Sequence, residues 1–240
     1  MIVAAAFCPH PPLLAPPLAQ GAASELDGLR AAADAAIAAV LAARPDRLLL
    51  VGAGERSQLH SPLARGSLAG YGLDREVHLG SPSCGGALEL PLSLTIGAWL
   101  LERTAGPRSG ALGLSVGPDY RRSRAAADVL GLVEAAAIGL VVLGDGSARR
   151  TATSPGSLDE RAEPFDAAIE AALAAGDADA LAEVDLERAA DLLCAGAPAW
   201  AAAGDLLAGT AWAATLRWSG APYGVGYAVA DWARVGGPGR

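Results

Sequence analysis

Lysine is missing from this sequence, so all 18 of its basic residues are arginine. Several kinds of active site depend on a lysine side chain: the P-loop that binds phosphates, the Schiff-base sites that hold pyridoxal or a carbonyl substrate, and the SxxK hydrolases. A chain without lysine cannot supply that amine. The sequence therefore excludes all three classes.

Cysteine and long apolar runs are scarce as well. Cys8, Cys84 and Cys194 lie far apart and form no CxxC pair, which gives no support for a disulfide framework or a structural zinc site. No stretch approaches the ~20 consecutive apolar residues that a membrane span needs. We expect a cytoplasmic protein without a membrane partner.

Positive charge is too thinly spread for a protein that holds nucleic acid through its phosphates. The formal net charge is −8, and the arginines are scattered along the chain. Proteins that bind DNA or RNA gather their cations into a patch or stripe. We expect a small-molecule ligand and no nucleic-acid partner, and assembly into a homo-oligomer through the apolar C-terminal segment stays open.

Apolar runs and helical periodicities alternate along the chain, which is typical of an α/β fold. Short apolar runs predict strands at 2–7, 47–51, 77–79, 111–116, 138–143, 210–218 and 223–232. Apolar residues at helical spacing predict helices at 24–45, 88–102, 124–136 and 158–175, followed by two or three short ones. No linker or internal repeat divides these segments. We predict a single three-layer α/β/α domain over 1–240 with a mostly parallel central sheet.

The turns after the strands are the places where such a fold binds ligands. The strands that end at Phe7, Val51 and Leu143 each run into a turn rich in glycine or proline. Ligands gather at the carboxyl ends of parallel strands. We predict that these three ends lie side by side and frame one pocket.

Polar side chains occupy two of these turns. Asp145 and Ser147 follow the strand that ends at Leu143, and Glu55 follows the strand that ends at Val51. Such a turn suits an anionic or hydroxylated ligand, although an aspartate after glycine also caps nearby backbone N–H groups. We take Glu55, Asp145 and Ser147 as candidate ligand-binding residues.

Histidine occurs three times, and two of the three residues lie in turns. His10 follows the first strand and His60 follows the second, whereas His78 falls inside a predicted strand. Two histidines and a carboxylate bind non-haem Fe(II) and leave positions open for substrate and dioxygen. His10 and His60 are therefore candidate metal ligands, with two solvated loop histidines as the alternative.

Three short motifs resemble the class III extradiol ring-cleavage dioxygenase superfamily, which includes LigB-like and Memo-like proteins. They are Pro-His-Pro-Pro-Leu-Leu at 9–14, Pro-Phe-Asp at 164–166 with Ala-Ala-Gly-Asp at 174–177, and Ala-Pro-Tyr-Gly-Val-Gly-Tyr at 221–227. The resemblance implies a LigB-like fold and a non-haem iron site. It also implies that His10 and His60 are the first two metal ligands.

The chain departs from the family's pattern at two catalytic positions. The resemblance implies an acid/base histidine where this chain has Ala148, and a late glutamate or cysteine ligand where the segment 215–227 has neither. Asp145 and Asp231 are the nearest substitutes by position. A positioned acid/base group contributes about 10²–10⁴-fold to a rate, and alanine cannot replace it.

Taken together, these residues predict a divergent LigB-like protein whose metal and catalytic site is incomplete. We expect it to bind a small molecule or to have an unassigned activity, with Fe(II) or Zn(II) bound weakly if at all. Two alternatives stay open: an active Fe(II) extradiol-type dioxygenase acting on a catecholic substrate, and a non-enzymatic interaction protein.

Overall fold

The computed structural model describes residues 1–80, 86–104, 111–118, 120 and 124–236, and Cys84 lies outside these ranges. The strands are β1 (Ile2–Cys8), β2 (Arg47–Ala53), β3 (Gln58–His60), β4 (Arg65–Ser67), β5 (Glu76–His78), β6 (Leu112–Val116), β7 (Ile138–Leu143), β8 (Trp212–Gly220) and β9 (Tyr227–Arg234). The α-helices are α1 (Pro16–Ala19), α2 (Asp27–Ala42), α3 (Leu92–Arg103), α4 (Arg124–Ala135), α5 (Ala162–Ala175), α6 (Ala178–Ala182), α7 (Leu186–Asp191) and α8 (Ala197–Leu207). None of the described helices is both long and apolar enough to cross a membrane.

Seven strands form one mixed sheet in the order β3-β6-β2-β7-β1-β9-β8. The four central strands β6, β2, β7 and β1 run parallel, while β3 at one margin and β9 and β8 at the other pair antiparallel. Strands β4 and β5 form a separate two-stranded sheet. The predicted α/β class with a mostly parallel central sheet is thus confirmed.

Helices cover both faces of this sheet because side chains of a strand point alternately to its two sides. In β1, Ala5 and Phe7 belong to one buried cluster with α5 and α8, whereas Ala4, Ala6 and Cys8 belong to a second cluster with α2 and α3. Both faces of the central strands are therefore buried. Such strands read as continuous apolar runs, which explains why their positions were predictable.

The carboxyl ends of β1, β7 and β2 lie side by side, as the sequence predicted. Val142 of β7 pairs with Phe7 of β1 on one side and with Val51 of β2 on the other. The chain turns after all three strands therefore meet at one edge of the sheet.

Two helix starts differ from the sequence prediction. The segment Gln20–Leu26 is a 3-10 helix, so α2 begins at Asp27 without a side-chain cap instead of at Ser24. Ser157, directly before the helix predicted at 158–175, has a left-handed backbone with φ of 59°, and α5 begins only at Ala162. A cap residue has an extended backbone, so Ser157 closes a turn instead.

The two outer strands of the large sheet differ in length and regularity. β3 has three residues, and β8 has nine but shifts its register against β9 between Leu216 and Trp218. Arg217, at that shift, forms an ion pair with Asp231 of β9.

Candidate functional site

A cavity of about 490 Å³ opens where the central strands end. His10 and Glu55 supply its polar side chains from the turns after β1 and β2, and Leu186 and Ala190 of α7 close one side. The remaining lining residues are mostly apolar: Ala53, Gly54, Pro91, Leu92, Ser93, Ala189, Cys194, Ala195, Ala197 and Pro198. A concave, mainly apolar pocket with a few polar groups is the usual form of a small-molecule site.

His10 is held at this cavity by Asp145, which comes from the turn after β7. The backbone N–H of His10 donates to Asp145 Oδ1 at 2.7 Å, and His10 Nδ1 lies 3.5 Å from the same oxygen. Both side chains are largely buried. His10 Nδ1 has no hydrogen-bond partner among the described residues. Because the Asp145 carboxylate is an acceptor that lies 3.5 Å from Nδ1, it favours the tautomer that carries the proton on Nδ1. That tautomer leaves Nε2 as a hydrogen-bond acceptor.

Burial raises the pKa of Asp145, and His10 opposes that rise through its charge and its backbone N–H. The contact with His10 therefore stabilises the charged form of Asp145, because a buried carboxylate without a partner is costly. The same turn is packed tightly: a Cβ atom at Gly144 would lie 2.6 Å from the indole ring of Trp200. Only glycine fits between β7 and α8 at this point.

Cys194 lines the cavity but is a poor nucleophile. Its thiol donates to the carbonyl of Asp145 at 3.4 Å, and burial raises the pKa of Cys194 to about 12. The thiolate is the reactive form of cysteine, so this side chain stays protonated and inert at neutral pH.

Ser147 faces the protein interior. Its side chain is fully buried, its hydroxyl donates to Leu192 O at 2.7 Å, and its N–H donates to Asp166 Oδ1 at 2.8 Å. Ala148, next in the chain, is fixed by backbone hydrogen bonds to Leu192 and Gly156. These contacts give the turn 147–148 a structural role, and they separate Ser147 from the pair His10 and Asp145.

A second cavity, of about 550 Å³, adjoins the first and shares Gly54, Glu55, Pro91 and Leu92 with it. Its polar lining includes His60, Glu89 and Ser115. His60 Nε2 lies 3.0 Å from Ser115 Oγ, and His60 Nδ1 lies 3.5 Å from Glu89 Oε1. Burial lowers the pKa of His60, while Glu89 opposes that shift. The ring is therefore neutral at neutral pH.

A third cavity, of about 780 Å³, continues from the first along α7 and α8. It shares Gly54, Leu186, Ala190 and Pro198 with the first, and its other lining is chiefly apolar, including Val116, Ala201 and Ala202. All three cavities include Gly54 in their lining.

The described residues do not fit the metal centre that the resemblance implies. His10 and His60 line different cavities, and three strands lie between β1 and β3, which at the usual strand spacing corresponds to ~19 Å. No group of three or more His, Cys, Asp and Glu side chains among the described residues is arranged to hold a metal ion. Asp231 on β9, the other candidate third ligand, forms an ion pair with Arg217 of β8.

Two residues of the second cavity were not singled out from the sequence. Ser115 is the central residue of Gly113-Leu114-Ser115-Val116-Gly117, which has the GxSxG spacing of a hydrolase nucleophile. That pattern was a usable signal, although Ser115 lies inside β6 and not at a strand-to-helix turn. Glu89 has no recognisable motif around it, and its approach to His60 depends on the tertiary fold.

No family model matches this chain, and no curated protein matches it.

Proposed function

We propose that this chain is a divergent LigB-like protein that binds a small hydroxylated organic molecule in the cavity of His10. The observation that carries the proposal is the pairing of His10 with Asp145 at the carboxyl end of the central strands. It presents an imidazole acceptor to an apolar cavity, and such an acceptor binds an acidic hydroxyl group.

The surroundings of His10 favour a ligand with one polar and one apolar end. Glu55 is a second acceptor at the polar end, where the first two cavities meet. The third cavity supplies apolar surface beyond Leu186. A phenol or enol with a hydrocarbon portion fits the polar end and the apolar cavity. Its hydroxyl donates to His10, and its apolar part is transferred from water to the apolar surface.

Proton transfer is the chemistry open to this pair. Asp145 orients the ring of His10 and stabilises its charged form after a proton arrives, which is how a carboxylate supports a histidine base. The metal-dependent alternative needs a third ligand and a closer approach of His10 to His60. Among the described residues, His10 and His60 line different cavities.

A titration with 4-nitrocatechol tests the proposal, since its absorbance reports ionisation of an acidic hydroxyl. We expect a saturable spectral change with the wild-type protein. Binding to His10→Ala should be about tenfold weaker, the cost of one hydrogen bond worth ~1.4 kcal/mol. His78→Ala is the matched control and should bind as the wild type does. Equal binding by His10→Ala, or no saturable change with the wild type, would refute the proposal.

The same ligand distinguishes the proposed binding protein from the alternative, an Fe(II) dioxygenase. After loading with Fe(II) without oxygen and then admitting air, we expect the catechol ring to remain intact. Ring-cleaved product that depends on His10 would place the dioxygenase ahead of the binding protein.

A further inference from the structure

We infer that Ser115, His60 and Glu89 form a serine hydrolase site, separate from the cavity of His10, that cleaves small carboxylic esters by acyl transfer.

The order of atoms is that of a nucleophile, a base and a carboxylate that orients the base. Ser115 Oγ lies 3.0 Å from His60 Nε2, and the other ring nitrogen lies 3.5 Å from Glu89 Oε1. The last distance is too long for a hydrogen bond, and Nδ1 has no hydrogen-bond partner among the described residues, so the side chain of Glu89, which is 37% exposed, has to rotate toward it when substrate binds. Catalytic hydrogen bonds are often loose before substrate binds.

Glu89 also decides which nitrogen of His60 carries the proton. A carboxylate oxygen and an unprotonated Nδ1 would place two acceptors face to face at 3.5 Å. A proton on Nδ1 turns this contact into an attraction and leaves Nε2 as the acceptor. The acceptor then points at Ser115 Oγ, as nucleophile activation requires.

The Ser115 hydroxyl has a second acceptor within reach. Its oxygen lies 2.8 Å from the carbonyl of Arg56 and 3.3 Å from that of Gln58. Rotation about the Cβ–Oγ bond moves the proton between these carbonyls and His60 Nε2 while the oxygen stays in place. In a merely structural arrangement the Ser115 hydroxyl would donate to the carbonyl of Arg56 and accept from a protonated His60 Nε2. His60 Nδ1 would then be unprotonated and would face the Glu89 carboxylate.

The reaction balances without any further reagent than water. Ser115 Oγ attacks the ester carbonyl carbon as its proton passes to His60 Nε2, and the carbon–oxygen bond to the alcohol then breaks as that proton moves to the leaving oxygen. Water attacks the acyl-serine with His60 again as base, which releases the carboxylic acid and restores Ser115. Arg56 also lines this cavity.

Burial restricts the substrate to short acyl groups. His60 and Ser115 are 3% and 4% exposed, so the acyl group must enter the cavity of about 550 Å³ to reach Oγ. Acetyl and propionyl esters fit this requirement best, and p-nitrophenyl acetate is the appropriate chromogenic probe.

Covalent labelling of the wild-type protein is the first test, because it needs no variant. A fluorophosphonate reacts with an activated serine and is located by mass spectrometry of the Arg-specific peptides. We expect one adduct, on Ser115. No adduct, or an adduct confined to other serines, would overturn the inference.

Kinetics with p-nitrophenyl acetate is the second test. We expect Ser115→Ala and His60→Gln to lower kcat/KM by about 10²-fold or more. Glu89→Gln, at a positioning residue, should lower kcat with little change in KM. Ser154→Ala removes another buried hydroxyl and His78→Gln another imidazole, and both should leave the rate unchanged. A Ser115→Ala protein that is labelled and hydrolyses at the wild-type rate would contradict the inference.

Discussion

Asp166 of α5 binds two residues of the turn that follows β7 through one carboxylate. Its Oδ1 accepts from Ser147 N–H at 2.8 Å, and its Oδ2 lies 3.0 Å from Arg150 Nη1. The side chain is almost fully buried, and burial raises the pKa of Asp166 against these partners. Asp166 belongs to the Phe-Asp motif, and these contacts show that the motif fixes the turn that follows β7.

Removal of this carboxylate should destabilise the protein. In Asp166→Ala the Ser147 N–H and the guanidinium of Arg150 lose a buried partner, and we expect the free energy of unfolding to fall by about 3 kcal/mol. Asp166→Asn keeps an acceptor for Ser147 and should lose less. Glu76→Ala, which breaks the more exposed pair with Arg65, should change stability by about 1 kcal/mol or less. Urea denaturation followed by circular dichroism measures all three, and an equal loss in Asp166→Ala and Glu76→Ala would contradict the assignment.

His60 should make stability depend on pH in a defined direction. Burial lowers the pKa of His60 in the folded protein, whereas in the unfolded chain it keeps its ordinary value of 6.5. The unfolded chain therefore binds more protons as the pH falls through about 6.5, so this contribution to stability is present above that pH and lost below it. The wild type should lose stability relative to His60→Gln between about pH 7.5 and about pH 5.5. A constant difference between the two proteins over this range would show that His60 does not titrate in this way.

At the scale of elements, the packing of α8 against α6 depends on one glycine. A Cβ atom at Gly204 would lie 2.3 Å from the backbone nitrogen of Ala182 and 2.6 Å from the carbonyl of Ala178. Backbone atoms of a neighbouring helix cannot move away as a flexible side chain can. The two helices are therefore in contact because position 204 has no side chain.

Gly204→Ala should force α8 and α6 apart and lower the free energy of unfolding by roughly 1–3 kcal/mol, the usual cost of overpacking. Gly131→Ala is the matched control, since it lies in α4 with open space around it. Alanine favours a helix over glycine by up to ~1 kcal/mol, so this control should be neutral or stabilising. Thermal unfolding of both variants measures the contrast, and a Gly204→Ala protein as stable as the wild type would show that the helices separate without cost.

The central strands were predictable from sequence, and the smallest elements were not. β7 occupies the predicted range because both of its faces are buried, which makes a continuous apolar run. β3 has only three residues, and its pairing with β6 depends on residues more than fifty positions away. His60 was accordingly expected in a loop near His10 instead of on a strand at the margin of the sheet.

The candidate site likewise has one part that was predictable from the sequence and one part that was not. The meeting of His10 with Asp145 followed from adjacent strand ends, which a parallel sheet places together. The contacts of His60 with Ser115 and Glu89 could not be predicted, because they need the antiparallel return of β3 and the path of the chain before α3. Local sequence identifies strand ends but does not determine which of them a distant segment will meet.

On the scale of the whole molecule, one sheet separates two cores and should couple them. Leu140 of β7 lies in the core beneath α5 and α8, and Leu50 of β2 lies in the core beneath α2 and α3. Both side chains are fully buried on paired central strands. Loss of either core should therefore unfold the sheet that the other core needs.

We expect Leu140→Ala and Leu50→Ala each to lower the free energy of unfolding by about 2–5 kcal/mol. Each variant should still unfold in one transition, with the same midpoint by far-ultraviolet circular dichroism and by tryptophan fluorescence. Two separate midpoints in either variant would show that the cores unfold independently.

The two margins of the large sheet bear on whether copies of this protein polymerise. An exposed outer strand offers unpaired N–H and C=O groups to another chain, and long regular ones seed fibrils. Here the strand at one margin is only three residues long, and the nine-residue strand at the other is interrupted by its register shift beside Arg217. A second copy would find only three residues at the first margin and, at the second, a strand interrupted at Arg217. Both margins therefore oppose open-ended strand addition to the large sheet.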